Sequence, residues 1–325
     1  MAPTKHAATK RSTSKCAHTD FDNFKSVEAD MKYNDYYNKA TIIMERVVQL
    51  DTLKDTFIPK VFKERTWTKL LNPVGVVYSE IIKEFFFNAA MEGDHIECWV
   101  RHKEFLITRE IIQDFLEIRP LSQPISVQYE DRLGSIEEMV QILGGTPKKL
   151  FMNTIPFSPE MRTLAYVIIH NLYPVTNLTT LVAPRTMFLY DLFTHKEIDI
   201  CGHILYLLKK SIMKQNSRTI MPFSSLIMGL IAKKRLKILS GLKIVQRDYP
   251  IGAHTLTWST AHIKGSRTGV HTIPQSRVKE GGHTEDEIER FTTTLEPSTQ
   301  PSVQPSSLTL ERGPDKFDHL LAKVE

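Results

Sequence analysis

Residues 96–116 read IECWVRHKEFLITREIIQDFL, and this stretch decides the fold class. Its first half alternates apolar and polar residues over 96–100 and 104–107, which predicts the two strands of a β-hairpin. Its second half changes to helical spacing, with Thr108 placed to cap the helix and Glu110 favourable in the first turn. The sequence therefore predicts a small hairpin that leads directly into a helix.

Most other apolar patterns in the chain are helical. Apolar spacing predicts further helices over 36–50, 78–90 and 222–232. Ser135, Ser158 (before Pro159) and Asp199 are predicted N-caps of three more helices, and Gly144-Gly145 is expected to end the first of these three. The predicted fold class is mainly α with a small β-hairpin (α+β), in a single helical globular body.

Composition divides the chain into three parts. Residues 1–35 are polar and lack a hydrophobic period, which predicts a disordered basic arm. Residues 36–240 carry nearly all the long apolar patterns and form the predicted body. Residues 241–325 include the run EPSTQPSVQPSS at 296–307, which predicts a low-complexity flexible tail. Near its end, apolar residues at i, i+3, i+4 and i+7 favour a short terminal helix over 314–325.

Charge and cysteine content limit the class of protein. The 325 residues carry 42 Lys+Arg against 37 Asp+Glu, a net charge of +5, and 41% are hydrophobic. That apolar fraction allows a packed core and excludes a collagen-like or wholly disordered chain. Cys16, Cys98 and Cys201 are too few and too far apart for a disulfide framework, which suits a reducing compartment. The most apolar stretch, 161–172, is too short to cross a bilayer, so we expect a soluble intracellular protein.

The sequence contains no recognisable catalytic motif. A phosphate-binding loop, His-Glu-x-x-His and Cys-x-x-Cys are all missing from it. We therefore expect a non-enzymatic protein with no catalytic residues, no cofactor, no metal site and no small-molecule substrate. The alternative is a metal-dependent nuclease or transposase-like enzyme. Its candidate metal ligands are three acids close together in the sequence, Asp191, Glu197 and Asp199. We expect instead that these three acids belong to an exposed junction between two helices, which would carry charges of this sign.

Two histidines and one cysteine invite a functional interpretation but fit the core better. His170 and His203 fall on apolar helices, where a buried neutral imidazole is more common than a catalytic one. Cys98 lies on the inward face of its predicted strand and is expected to behave as a small apolar residue.

The strongest electrostatic feature is the cluster KKRLK at 233–237. Lys233, Lys234, Arg235 and Lys237 could form a nuclear-import signal or a patch that contacts phosphates. Cations at the end of a helix are also ordinary, because they complement the helix dipole. The nucleus is accordingly the expected compartment, with the cytoplasm as the alternative.

Seven stretches in series resemble one plant family. They are RTW at 65–67, VYSEIIKEFFFN at 77–88, VRHKEFLITREIIQDFL at 100–116, LYP at 172–174, RTMFLY at 185–190, IDICGHI at 198–204 and MPFSSLI at 221–227. In this order they resemble the putative plant transposon protein domain, found in retrotransposon-derived reading frames. The resemblance covers residues from about 60 to 240. This chain departs from it in having His102 where the family has a glycine at the hairpin turn.

The resemblance implies an origin in a mobile element and carries no established active site. Together with the charge pattern, it suggests a non-enzymatic interaction domain or a structural domain associated with nucleic acid. The expected partners are nucleic acid or a second copy of the chain, with no membrane. A vestigial reading frame without selected activity is a further alternative to the enzyme.

Overall fold

The computed structural model describes residues 23–265 of the chain, apart from short internal stretches. Those stretches are 74, 122, 124, 126–127, 130–134, 146–156, 177–180, 215, 217–218 and 235–240. Contacts divide the chain into two units, residues 1–263 and 264–325, and nearly all of the second lies outside the described residues.

Helices form most of the described structure. They are α1 (Val27–Lys32), α2 (Ile58–Glu64), α3 (Ser79–Asn88), α4 (Arg109–Leu116), α5 (Ile136–Ile142), α6 (Pro159–Val167), α7 (Ala183–Phe193), α8 (Ile200–Met213), α9 (Ser224–Lys233) and α10 (Ala253–Gly265). A π-helical turn continues α1 over Tyr33–Tyr37, another continues α6 over Ile168–Leu172, and a 3-10 turn spans Leu50–Leu53. None of the helices in the described ranges is long and apolar enough to cross a membrane.

The strands form two small sheets. β2 (Ala90–Glu92), β3 (His95–Val100) and β4 (Lys103–Ile107) form an antiparallel sheet in that order. β1 (Thr41–Ile42) pairs in parallel with β5 (Ile220–Met221). The predicted hairpin is confirmed as β3–β4, but it belongs to a three-stranded sheet because β2 pairs with the other edge of β3. One face of β3 is buried and packs against α3.

The hairpin turn has a backbone conformation that normally favours glycine. Arg101 and His102 have φ of 50° and 61°, as a two-residue type I′ turn requires. Glu84 of α3, which is buried, accepts the backbone N–H of Arg101 at 2.6 Å. Its other carboxylate oxygen lies 3.1 Å from Nε of the same arginine. The contacts made by Glu84 help to offset the strain of a turn without glycine.

The predicted N-caps are confirmed. The side chains of Thr108, Ser135, Ser158 and Asp199 each accept a backbone N–H three residues further on, at 3.0–3.3 Å. Gly144, with φ of 76°, follows the end of α5 as expected. The starts of these four helices are therefore encoded locally.

The predicted helix over 36–50 is wrong. Only its first residues are helical, and the chain then extends as β1 and continues in a loop. Glu45 is buried in that loop, where its carboxylate accepts the N–H groups of Ser225 and Leu226 at 2.8 and 2.9 Å. The side chain of Asn171 makes two hydrogen bonds to the backbone of Arg46. It accepts the N–H at 3.2 Å and donates to the carbonyl at 2.7 Å. These long-range contacts outweigh the local helical pattern.

The packed body extends beyond both predicted limits, 35 and 240. At the N-terminal side, Asn88 donates to the carbonyl of Asn23 at 2.7 Å and accepts the N–H of Lys25 at 2.9 Å. At the C-terminal side, Ile244 and Ile251 form β-bridges with Tyr78 and Val48, and Ile251 is fully buried. Both segments are polar on average, so composition alone does not reveal the few residues that dock. Residues 1–22 and 266–325, with the predicted helix over 314–325, lie outside the described residues.

Candidate nucleic-acid interface

The basic cluster predicted from the sequence begins at the C-terminal end of α9. Lys233 is the last residue of the helix and Lys234 is its C-cap, and both are exposed. Arg235 and Lys237 lie outside the described residues. Cations at this end of a helix interact favourably with its dipole, and exposure leaves their charge available to a partner.

Lys69, from a different part of the chain, joins Lys233 at the ring of Phe115 in α4. The Nζ atoms of Lys69 and Lys233 each lie 5.2 Å from the centre of that ring, within the range of a cation–π contact. The ring packs directly over Gly229 of α9, where an added Cβ would lie 2.5 Å from Cζ of Phe115. Glycine at 229 therefore allows α4 to bring its aromatic ring up to the lysines. We call Lys69, Phe115, Lys233 and Lys234 the lysine surface.

Lys69 also contacts an acid at the end of α4. Its Nζ donates to Glu117 at 2.9 Å, and this hydrogen bond lowers the pKa of Glu117. Glu117 is exposed and has φ of 57°, which ends the helix. An anionic residue, Glu117, therefore lies close to Lys69 and Lys233 of the lysine surface.

A polar cavity of about 270 Å³ lies alongside α4, and its lining includes Arg109 and Gln113 of the helix and Ile118 just after it. Three arginines contribute to its lining, Arg65, Arg109 and Arg119. The guanidinium of Arg65 lies 5.5 Å from the ring of Trp67 and donates to the carbonyl of Leu192 at 3.3 Å. A hydrogen bond joins the two segments that carry these cations, because the backbone N–H of Arg119 donates to the Thr66 hydroxyl at 3.2 Å. Thr66 follows Arg65 of the cavity and lies three residues before Lys69 of the lysine surface.

Two of the three acids considered for a metal site line the same cavity. They are Glu197, which is exposed, and Asp199, which is buried. Asp199 accepts Nε of Arg109 at 2.7 Å and the N–H of Gly202 at 3.0 Å, so its two oxygens serve an ion pair and a helix cap. Asp191 is buried in α7, with one oxygen 3.6 Å from Nζ of Lys196. The structure therefore gives Asp191 and Asp199 cationic partners.

His170 and His203 are buried, as the sequence predicts. Burial, and then the charge of nearby Arg46, lower the pKa of His170 to about 3, so it is neutral at physiological pH. The ring of His203 packs among Tyr129, Tyr173 and Phe188, at centroid distances of 4.8–5.5 Å. Both histidines belong to the core.

The two cysteines in the described residues are also buried. Burial raises the pKa of the Cys201 thiol to about 12 and raises that of Cys98 further. The Cys98 thiol donates weakly to the carbonyl of Phe105, 3.4 Å from Sγ. Cys98 therefore behaves as the small apolar residue that its strand position predicts.

No local motif marks Lys69 or Phe115 as part of a surface with Lys233. They lie more than 100 residues from α9 in sequence, and only tertiary packing, including that of Phe115 over Gly229, brings them together. The one sequence feature that points to Phe115 is the amphipathic pattern of 108–116, in which this residue lies at the edge of the apolar stripe of the helix.

The chain matches the sequence model of a known family. A sequence model of the putative plant retrotransposon-related domain matches residues 63–236. Because the match spans more than half of the 325 residues, the chain belongs to this family. The family resemblance found over about 60–240 is thereby confirmed, and the lysine surface lies inside the matched segment. No curated protein and no solved structure matches the chain.

Proposed function

We propose that this domain is a non-enzymatic module that binds nucleic acid through the lysine surface. The observation that carries the proposal is the convergence of Lys69 and Lys233 on the ring of Phe115, from elements distant in sequence, with the exposed Lys234 next to Lys233 in the chain. Lysine contacts to phosphate oxygens supply most sequence-independent affinity for nucleic acid. Arg119, two residues after Glu117, is a further exposed cation.

The use of the buried carboxylates supports a binding role over catalysis. Glu45 caps α9, Glu84 holds the hairpin turn, and Asp199 caps α8 and pairs with Arg109. Each of these acids therefore has a structural task that a catalytic proton transfer or metal ligation would disturb. The lysine surface, by contrast, presents exposed cations, which suit electrostatic binding.

The proposal predicts a steep salt dependence that two lysines control. Binding of the full chain to a mixed-sequence duplex is measured by fluorescence anisotropy at several salt concentrations. We expect K233Q/K234Q to lower the slope of log affinity against log salt by about 2, since each lost phosphate contact removes about 1. K54Q/K103Q, which removes two exposed lysines elsewhere, should leave the slope unchanged.

Two results would overturn the proposal. One is no binding by the wild type at low salt, and the other is an equal slope for both double variants. Nicking of plasmid DNA with Mg²⁺ or Mn²⁺ that disappears in D191A would favour the enzyme instead. The same cluster supports a proposed nuclear location, for which a tagged K233Q/K234Q protein should move to the cytoplasm and a tagged K54Q/K103Q protein should not.

A further inference from the structure

The outer face of the three-stranded sheet brings together three side chains that can bind a metal. Glu92 and His95 are opposite each other across the β2–β3 turn, and Glu97 follows two residues later on the same face. One donor atom from each residue lies within 4.8 Å of the other two. None of these three residues belongs to the lysine surface or lines the polar cavity beside α4.

The orientation of His95 suits a metal ligand. Its Nδ1 lies 3.4 Å from Oδ1 of Asp94, while its Nε2 lies 3.8 Å from Oε1 of Glu97. Metal-binding histidines commonly donate one ring N–H to a carboxylate and bind the ion through the other nitrogen. Asp94 can accept that N–H, which directs Nε2 to the side where Glu97 supplies an oxygen.

The turn that carries these residues is held from outside the sheet. Gly93 has φ of 56°, which glycine adopts without strain. Lys209 of α8 donates to the carbonyl of Gly93 at 3.0 Å. This contact fixes the turn between Glu92 and His95, so a bound ion would meet two ligands whose backbone is already ordered.

We propose that Glu92, His95 and Glu97 bind a divalent cation of the Zn²⁺ type, with water in a fourth position. Zinc accepts one imidazole nitrogen and carboxylate oxygens at ~2.0–2.2 Å, so its ligand atoms stand roughly 3.3 Å apart. Rotation of the glutamate side chains, one exposed and one half-buried, closes the remaining separation. Two carboxylates neutralise the ion's charge, and the imidazole favours zinc over magnesium or calcium, which take oxygen ligands.

The test titrates the metal-free full chain with Co²⁺, followed by visible absorption, and with Zn²⁺, followed by calorimetry. Wild type should bind one more equivalent of metal than H95A. E97Q should lower the affinity for that additional metal ion about tenfold or more. H102A and E104Q change a histidine and a glutamate on the same hairpin and should bind like wild type. Zn²⁺ should also raise the unfolding temperature of wild type more than that of H95A.

Equal stoichiometry and affinity for wild type, H95A and E97Q would overturn the proposal. Histidines elsewhere in the chain can bind metal too, but they contribute equally to wild type, H95A, E97Q and E104Q, and H102A measures the contribution of His102. Thermal unfolding in EDTA confirms that each variant is folded. If H95A does not fold, the test is the comparison of the metal affinity of E97Q with that of E104Q.

Discussion

Glu84 is a carboxylate that the fold has buried at the hairpin turn. It lies in α3, is 1% exposed, and holds both the backbone and the side chain of Arg101. Burial raises its pKa from an ordinary value of 4.5 to about 7, and the hydrogen bond and charge of Arg101 only partly oppose this shift. The residue that stabilises the turn is therefore costly to ionise.

This pKa predicts how stability changes with pH. Between pH 4.5 and 7 the folded chain holds a proton on Glu84 that the unfolded chain has lost, so stability falls as pH rises through this window. We expect E84Q, which keeps an acceptor for the Arg101 N–H, to remove about 2 kcal/mol of the stability difference between pH 5 and pH 8. Urea unfolding at the two pH values measures it.

The matched control for Glu84 is Glu104, an exposed carboxylate on the same hairpin. E104Q should retain the pH dependence of the wild type. If E84Q retained it as well, Glu84 would not be the group that titrates between these pH values.

At the scale of elements, α9 depends on a residue that no local pattern connects with it. Phe223, the residue before the helix, makes no side-chain cap and has φ of 56°. Glu45, 180 residues earlier, supplies the missing acceptors to Ser225 and Leu226. A sequence pattern can predict a cap such as Thr108 or Asp199, because the capping side chain and the N–H that it accepts are only three residues apart in the chain. It does not predict a cap delivered by a distant loop.

The same physical distinction explains which parts of the site could be predicted. Lys233 and Lys234 form a visible run of charge, and their exposure agrees with it. Phe115 reaches Lys233 through its packing over Gly229, and Lys69 meets the same ring from a separate part of the chain. No single stretch of sequence encodes either contact. The helical pattern over 36–50 failed for a related reason, since β1 and Glu45 gain their partners only in the folded chain.

Replacing Glu45 by glutamine should destabilise the protein by about 1–3 kcal/mol. The amide can accept one N–H through its oxygen, but its NH₂ group then faces the second N–H of α9, which loses its acceptor in a buried position. Chemical unfolding of E45Q measures the loss. E137Q, at an exposed glutamate in the first turn of α5, is the control and should change stability by less than about 0.5 kcal/mol. A similarly small effect for E45Q would show that α9 does not need this cap.

At the scale of the whole molecule, the packed unit is longer than the segment that defines the family. The family match covers residues 63–236. Outside it lie β1, which pairs with β5, and Glu45, which caps α9. Beyond its other end, Ile251 pairs with Val48, and the carbonyl of Lys243 accepts the N–H of Ser79 at the start of α3. Both flanks therefore complete elements that belong to the family segment.

This arrangement predicts that residues 63–236 alone do not form the native structure. Without the flanks, β5, the start of α3 and the first turn of α9 lose backbone partners, and apolar surface now covered by Val48 and Ile251 meets water. We expect a chain of residues 23–265 to unfold cooperatively in urea, with the midpoint of the full-length protein. Residues 63–236 should show a broad transition at a lower midpoint, with faster amide hydrogen exchange in α3 and α9. An equal midpoint and equal exchange for the two fragments would mean that the flanks pack on a domain that is already complete.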